Sequence, residues 1–449
     1  MSIIIIYPSP IVECLCNKTI YDEVFFMKTT AVRLHGVKDL RLETFDLPDL
    51  KPTEILARVI SDSICMSTYK ATNQGSLHKR VPDNIATHPT IIGHEFCLEL
   101  IEVGSVWKDK YQAGDKYSIQ PALNYQGSLN APGYSYEFIG GDATYVIIPE
   151  EVMIQNCLLP YDGEGYFSGS LAEPFSCVAG AFHENFRSNF DKHIHEMDIK
   201  KDGSMVLLAA AGPMGLAAIE YTVNRDRAPK RLIVTDIDQR RLDYASEMIS
   251  PVFAKTKGIS LSYINTANFN DPVTQLKEMN GGKGFDDVFV FAPVKVLVEQ
   301  GNQLLGSYGC LNFFAGPSNT EFSATLNFYN LHYEAHRYTG TSGGNTNDMI
   351  EVLDMFSKNK LRPEILISHV GGLDSVIETT LNLPHVPGTK KLVYTHISMP
   401  MTAISDFAKL GESDPLFKAL AEICFCHDGL WSVEAESYLL EHGKKIEVQ

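Results

Sequence analysis

Missing from this sequence are a long apolar run, a dense set of paired cysteines and a surplus of basic residues. No stretch reaches the roughly 18 apolar residues that a membrane span needs, so a membrane partner is not expected. Nine cysteines in 449 residues, closely spaced only at Cys14/Cys16 and Cys424/Cys426, make no disulfide framework. A reducing, cytoplasmic compartment is the expectation. Lys and Arg number 38 against 55 Asp and Glu, a net charge of -17, which argues against nucleic acid or an anionic membrane surface as partner. Internal repeats and low-complexity segments are lacking too, which excludes repeat arrays and long disordered linkers.

Residues 1–26 begin with an apolar run at 3–6, followed by Pro8 and Pro10, without the basic region that opens a signal peptide. They read as a leader, with the folded part starting near Met27. The chain as a whole is 44% apolar, with 22 prolines scattered rather than clustered, enough for two packed cores.

The residue pattern changes twice along the chain. Over 27–185 it is strand-like and turn-rich, with apolar runs at 54–60, 96–104 and 143–149. Over 186–338, continuous apolar strands at 205–209, 231–236, 285–291 and 309–316 alternate with helical stretches, the pattern of an α/β, doubly wound parallel sheet. Residues 339–449 return to mixed strand and helix and end in a helical tail containing Trp431, Leu439 and Leu440. That tail is read as either a subunit contact or a flap over the cleft.

A dinucleotide site is expected at the first parallel strand. It is followed by Ala210, Ala211, Gly212, Pro213, Met214 and Gly215, and then by a helical run. Gly212 lets the backbone approach a pyrophosphate, Pro213 suits a first helical turn, and Gly215 permits close packing of helix on strand. Ala210 stands where the usual first glycine would be. Asp236 ends the next strand 21 residues beyond Gly215, a spacing suited to the hydroxyls of an adenosine ribose. Its charge would repel a 2′-phosphate, which favours NAD(H), while Arg240 and Arg241 leave NADP(H) open.

Upstream lie Cys65, His94, Glu95 and Glu173. A single cysteine or Gly-His-Glu is ordinarily a core residue or a turn. Thiolate, imidazole and carboxylate together suit zinc, and three protein ligands with one open position suit a catalytic site. Ionised Cys65 and Glu95 neutralise Zn²⁺. Adding Glu173 makes the site anionic, so Glu173 is expected to be displaced or bridged by water when substrate binds.

Cys65, the Gly93-His94-Glu95 turn, the Glu173-Pro174 pair and the glycine turn at 212–215 together resemble the medium-chain dehydrogenases, above all their polyol (sorbitol-type) branch, over residues 28 to about 395. The resemblance implies a GroES-like catalytic domain beside a Rossmann domain. It also implies one catalytic Zn²⁺, a nicotinamide nucleotide and proton return through Ser67. The runs 89–97, 311–317, 338–346 and 390–395 imply a ketose phosphate as substrate, with reduction of L-sorbose 1-phosphate to D-glucitol 6-phosphate. A homo-oligomer is expected as well.

Three departures from the family pattern stand out. Residues 112–142 contain no cysteine, so the four-cysteine lobe of a structural zinc is missing. Thr68 stands where relatives often have aspartate, leaving His94 without an evident partner. Lys70 stands where alcohol dehydrogenases often place a relay histidine. For the phosphate, Lys70 is the leading candidate within a cluster of Lys70, His78, Lys79 and Arg80, with Lys390 and Lys391 behind it. The cluster reads equally well as a solvated loop. The backbone near Phe314, Ala315 and Gly316, and near Gly343 and Gly344, is placed beside the nicotinamide. Two other functions compete: a dehydrogenase of an unphosphorylated polyol or sugar acid, and a nucleotide-binding sensor without catalysis.

Overall fold

A strand that is buried on both faces must lie inside a sheet, and Ile55–Ile64 is almost wholly buried. In the computed structural model, which describes residues 27–189 and 192–447, this strand is the hub of an eight-stranded sheet. The order is Thr402–Ala403, Ile367–Gly372, Lys390–Tyr394, Ile55–Ile64, Phe96–Val103, Lys116–Ile119 and Leu158–Pro160, with Tyr145–Ile148 also paired to the hub. The chain thus returns after a long excursion, placing Lys391 opposite Ile64. A three-stranded sheet of Asp39–Asp46, Lys28–Gly36 and Thr90–Ile91 completes this GroES-like unit.

The excursion is a six-stranded parallel sheet. Its order is Ser260–Asn265, Arg231–Asp236, Ser204–Leu208, Phe285–Val290, Leu305–Phe313 and Arg337–Thr339, the Rossmann arrangement with its crevice beside the first strand. Two of the six strands, Ser260–Asn265 and Arg337–Thr339, are absent from the sequence reading. Both lie at sheet edges and are mostly half-buried, so neither carries a continuous apolar run. The helices Ala172–His183 and Thr346–Ser357 share one core with the helix Pro213–Asn224 and the central strands.

The tail forms the helices Phe407–Leu410, Pro415–Cys426 and Val433–His442. They pack with Trp431 on the strands Ile367–Gly372 and Lys390–Tyr394. Trp431 Nε1 donates to Tyr394 Oη at 2.7 Å, and Tyr394 donates on to buried Glu436 at 2.8 Å. Glu436 in turn accepts the backbone N–H groups of Tyr166 and Phe167, which fastens the tail to the segment leading into Glu173. Among the described residues every cysteine is free, Cys424 and Cys426 included, and no helix is long and apolar enough to cross a membrane. The leader at 1–26, with Cys14 and Cys16, lies outside the described residues.

Candidate active site

The hub strand ends at Ile64, and Cys65 becomes the N-cap of the helix Met66–Gln74. Its Sγ accepts the Ser67 N–H at 3.5 Å and lies 3.4 Å from Ser67 Oγ. A helix N-terminus favours a thiolate. Opposite, Gly93 at φ +87° makes the turn between Thr90–Ile91 and Phe96–Val103, which only glycine adopts readily. That turn aims His94 and Glu95 back at Cys65, and one ligand atom from each of the three lies within 4.8 Å of the others.

The chemistry of these donors fits a borderline-soft cation. Burial, and then Glu95, push the Cys65 thiol up to about 12, so a thiolate there requires a bound positive charge. Burial holds His94 down at about 4, leaving a neutral imidazole. Thr68 Oγ1 lies 3.2 Å from His94 Nδ1, and Tyr134 Oη lies 3.2 Å from Nε2. In the tautomer with Nδ1–H donating to Thr68, the Nε2 lone pair accepts from Tyr134 and would turn to a metal in its place. Thr68 therefore supplies the partner that the sequence left unidentified, without a carboxylate.

Glu95 has a partner the sequence reading did not foresee. Lys390 Nζ lies 2.5 Å from both its carboxylate oxygens, Ser63 Oγ donates to it as well, and Asp62 Oδ1 accepts its backbone N–H at 3.0 Å. Burial alone would raise Glu95, but the Lys390 charge, with the hydrogen bonds from Lys390 and Ser63, outweighs it and keeps the carboxyl below its ordinary range. Burial likewise works against the Lys390 charge, and Glu95 with Cys65 more than restores it. This corrects the charge count: with Lys390 included, zinc, Cys65, Glu95 and an ionised Glu173 sum to neutral rather than anionic. It also removes Lys390 as a phosphate ligand. Lys391 is spent too, donating to the carbonyls of Val386, Pro387 and Thr389.

Glu173, in the first turn of Ala172–His183, is not among the donors within 4.8 Å of one another. Burial and the nearby Glu95 raise it to about 7. Lys70 Nζ donates to the carbonyl of Gly316 at 2.7 Å, joining the helix that Cys65 caps to the segment after Leu305–Phe313.

On the nucleotide side, Gly212 caps Pro213–Asn224 with Pro213 at the first position and without a side-chain cap. The first N–H groups of this helix are thus free for an anion. A Cβ on Gly215 would overlap the Ala210 carbonyl, so helix and strand approach as closely as glycine allows. Met214 packs on the shared core. Asp236 Oδ2 accepts Ala211 N–H at 3.1 Å, and Oδ1 accepts the N–H groups of Ile237 and Asp238 at 2.8 and 3.1 Å. Its carboxylate is fixed against the glycine turn. Gly212, Pro213, Arg240 and Arg241 line a cavity of about 790 Å³, whose far wall includes Ser405 and Phe425 of the tail.

Tyr134, absent from the sequence reading, reaches His94 because Gly133 sits at φ +80°, where a Cβ would overlap the Gly93 carbonyl. A Pro-Gly-Tyr turn at 132–134 signals only a turn, and nothing in it announces the close approach.

The zinc-binding dehydrogenase family matches residues 213–358. The mannitol-1-phosphate 5-dehydrogenase of Aliivibrio fischeri is 48% identical over 414 residues, 92% of this chain and 98% of the relative. The L-sorbose 1-phosphate reductase of Klebsiella pneumoniae is 45% identical over 418 residues, 93% and 98% of the two chains. The crystal structure of 2R,3R-butanediol dehydrogenase from Bacillus subtilis superposes with a TM-score of 0.67 at 22% identity, covering 82% of this chain and 99% of that one. With likeness at this level over nearly the full length of such relatives, the chain belongs to the zinc-binding medium-chain dehydrogenase family and is an oxidoreductase.

Proposed function

We propose that this chain is a zinc-dependent, NAD(P)-linked reductase of a ketose phosphate, with L-sorbose 1-phosphate, yielding D-glucitol 6-phosphate, as the leading substrate. The observation that carries the substrate class is the pair of near-full-length relatives at 45% and 48% identity, both named for a hexose or hexitol phosphate. One of those names keeps mannitol 1-phosphate, oxidised at C5, as the second reading.

Cys65, His94 and Glu95 would hold the zinc, with Glu173 as an exchangeable neighbour. Zinc bound there supplies Lewis-acid activation of a carbonyl or an alcohol. Thr68 orients the His94 ring, and Lys390 holds Glu95 charged. Ser67, beside Cys65 Sγ and within the reach of Tyr134, is placed to hold the proton that returns to the substrate oxygen. Burial raises the Tyr134 phenol well above its ordinary value, so Tyr134 stays protonated and acts as a donor. Gly212, Met214 and Gly215 would cradle the pyrophosphate. Asp236 and Arg241 would take the adenosine ribose, in an arrangement favouring NAD(H). Lys70 would fix the 314–316 segment beside the nicotinamide. For the domain division, the nucleotide unit takes in the helices flanking 186–338, since they share its core. A reducing, cytoplasmic setting and a homo-oligomer go with this reading.

Initial rates of NADH and NADPH oxidation with L-sorbose 1-phosphate and with free L-sorbose test the proposal. Rapid turnover of the phosphate with NADH, and little of the free sugar, is the expected result. Equal turnover of the free sugar would leave a general polyol dehydrogenase.

A further inference from the structure

We propose that Arg80, presented across the face of Tyr134, is the residue that reads the substrate phosphate. This rests on the sugar-phosphate reading above and moves the anion site away from Lys70. The Arg80 guanidinium carbon lies 6.0 Å from the Tyr134 ring centroid. The His78 ring stacks on Tyr134 at 5.7 Å and 12°. Tyr134 in turn lies 4.8 Å, ring to ring, from His94 and reaches its Nε2 with the hydroxyl. A single aromatic ring therefore separates the Arg80 cation from a metal donor.

Arg80 is held from both ends. Its carbonyl accepts Ser135 Oγ at 2.6 Å, its N–H donates to His78 Nδ1 at 3.4 Å, and Nη1 donates to the Leu129 carbonyl at 2.9 Å. A guanidinium carries five N–H donors, and no carboxylate pairs with this one among the described residues. Its charge is felt at His94, Tyr134 and Glu173. Three of the competing cations are engaged elsewhere, Lys70 with the Gly316 carbonyl, Lys390 with Glu95, and Lys391 with three carbonyls, while Lys79 is exposed. An oriented arginine with free donors and no counter-ion, in a chain of net charge -17, suits a phosphate, which it can take through two parallel hydrogen bonds.

The test compares the wild type, Arg80→Gln, Arg80→Lys and Lys70→Gln at equal zinc content. It reads the ratio of kcat/KM for L-sorbose 1-phosphate to that for L-sorbose, and the inhibition constant of inorganic phosphate. Arg80→Gln is expected to lower the ratio about 100-fold, mainly through KM, as loss of a charged hydrogen-bonding pair implies. It should weaken inorganic phosphate as well. Arg80→Lys should recover part of the ratio, and Lys70→Gln should keep it. An unchanged ratio in Arg80→Gln, including equal losses on both substrates, would overturn the assignment. So would a ratio lost in Lys70→Gln and kept in Arg80→Gln. A wild type indifferent to the phosphate would overturn the sugar-phosphate reading itself, whereas a phosphate-dependent wild type with an indifferent Arg80→Gln would overturn Arg80 alone.

Discussion

At the scale of single residues, Lys390 decides the charge of the candidate metal site. It joins the final strand of the catalytic sheet to the Gly93-His94-Glu95 turn from 295 positions away, with both partners almost fully buried. Removing one member strands the other charge without water. Lys390→Met is therefore expected to destabilise the fold by about 3–5 kcal/mol, read from urea denaturation, and a cost below 1 kcal/mol would show that Glu95 does not depend on it. The cluster of Cys65, His94 and Glu95 was legible in the sequence because the side-chain chemistry and order of these residues are informative, while Glu173, read with them, lies outside it. The roles of Lys390, which was read as a secondary phosphate candidate, of Thr68 and of Tyr134 were not legible. Lysine reads as a surface residue, threonine and tyrosine carry no ligand signature, and their roles arise only when strands far apart in sequence are brought side by side.

Among the elements, the helix Ala172–His183 connects the candidate metal site and the Rossmann sheet. Its first turn holds Glu173 and its last residue is His183, whose Nδ1 lies 2.7 Å from Asp348 and whose Nε2 lies 3.3 Å from Glu351 of the helix Thr346–Ser357. Hydrogen bonds to Asp348 and then Glu351 raise His183 to about 9. A histidine with a raised folded-state value contributes stability that is complete below its unfolded value of about 6.5 and is lost as pH rises through the folded one. The gap in Tm between wild type and His183→Gln should therefore be widest near pH 6 and shrink between pH 6.5 and 9. A gap that stays constant would refute the ion pairs. The sequence made the four inner parallel strands legible, since each is an apolar run ending in turn residues. The edge strands Ser260–Asn265 and Arg337–Thr339 escaped because half-buried edges lack that signature.

For the whole molecule, the GroES-like sheet is covered by the helices Phe407–Leu410, Pro415–Cys426 and Val433–His442. A β-rich unit followed by a doubly wound parallel sheet was readable from the change of period along the chain, and the family resemblance implied that the first is GroES-like and the second a Rossmann unit. The destination of the tail was not: amphipathic helices announce a face to be buried but not what buries it. Trp431, Tyr394 and Glu436 supply the answer, and the tail then forms one wall of the cavity above the glycine turn.

Zinc held by Cys65, His94 and Glu95 is the centre of the proposed chemistry. Metal content by mass spectrometry, measured together with the reduction rate for wild type and His94→Ala, tests that most directly. One zinc per wild-type chain, lost with the activity in His94→Ala, is the predicted result. Zinc retained in the variant, or full activity in a wild type stripped by chelator, would contradict it.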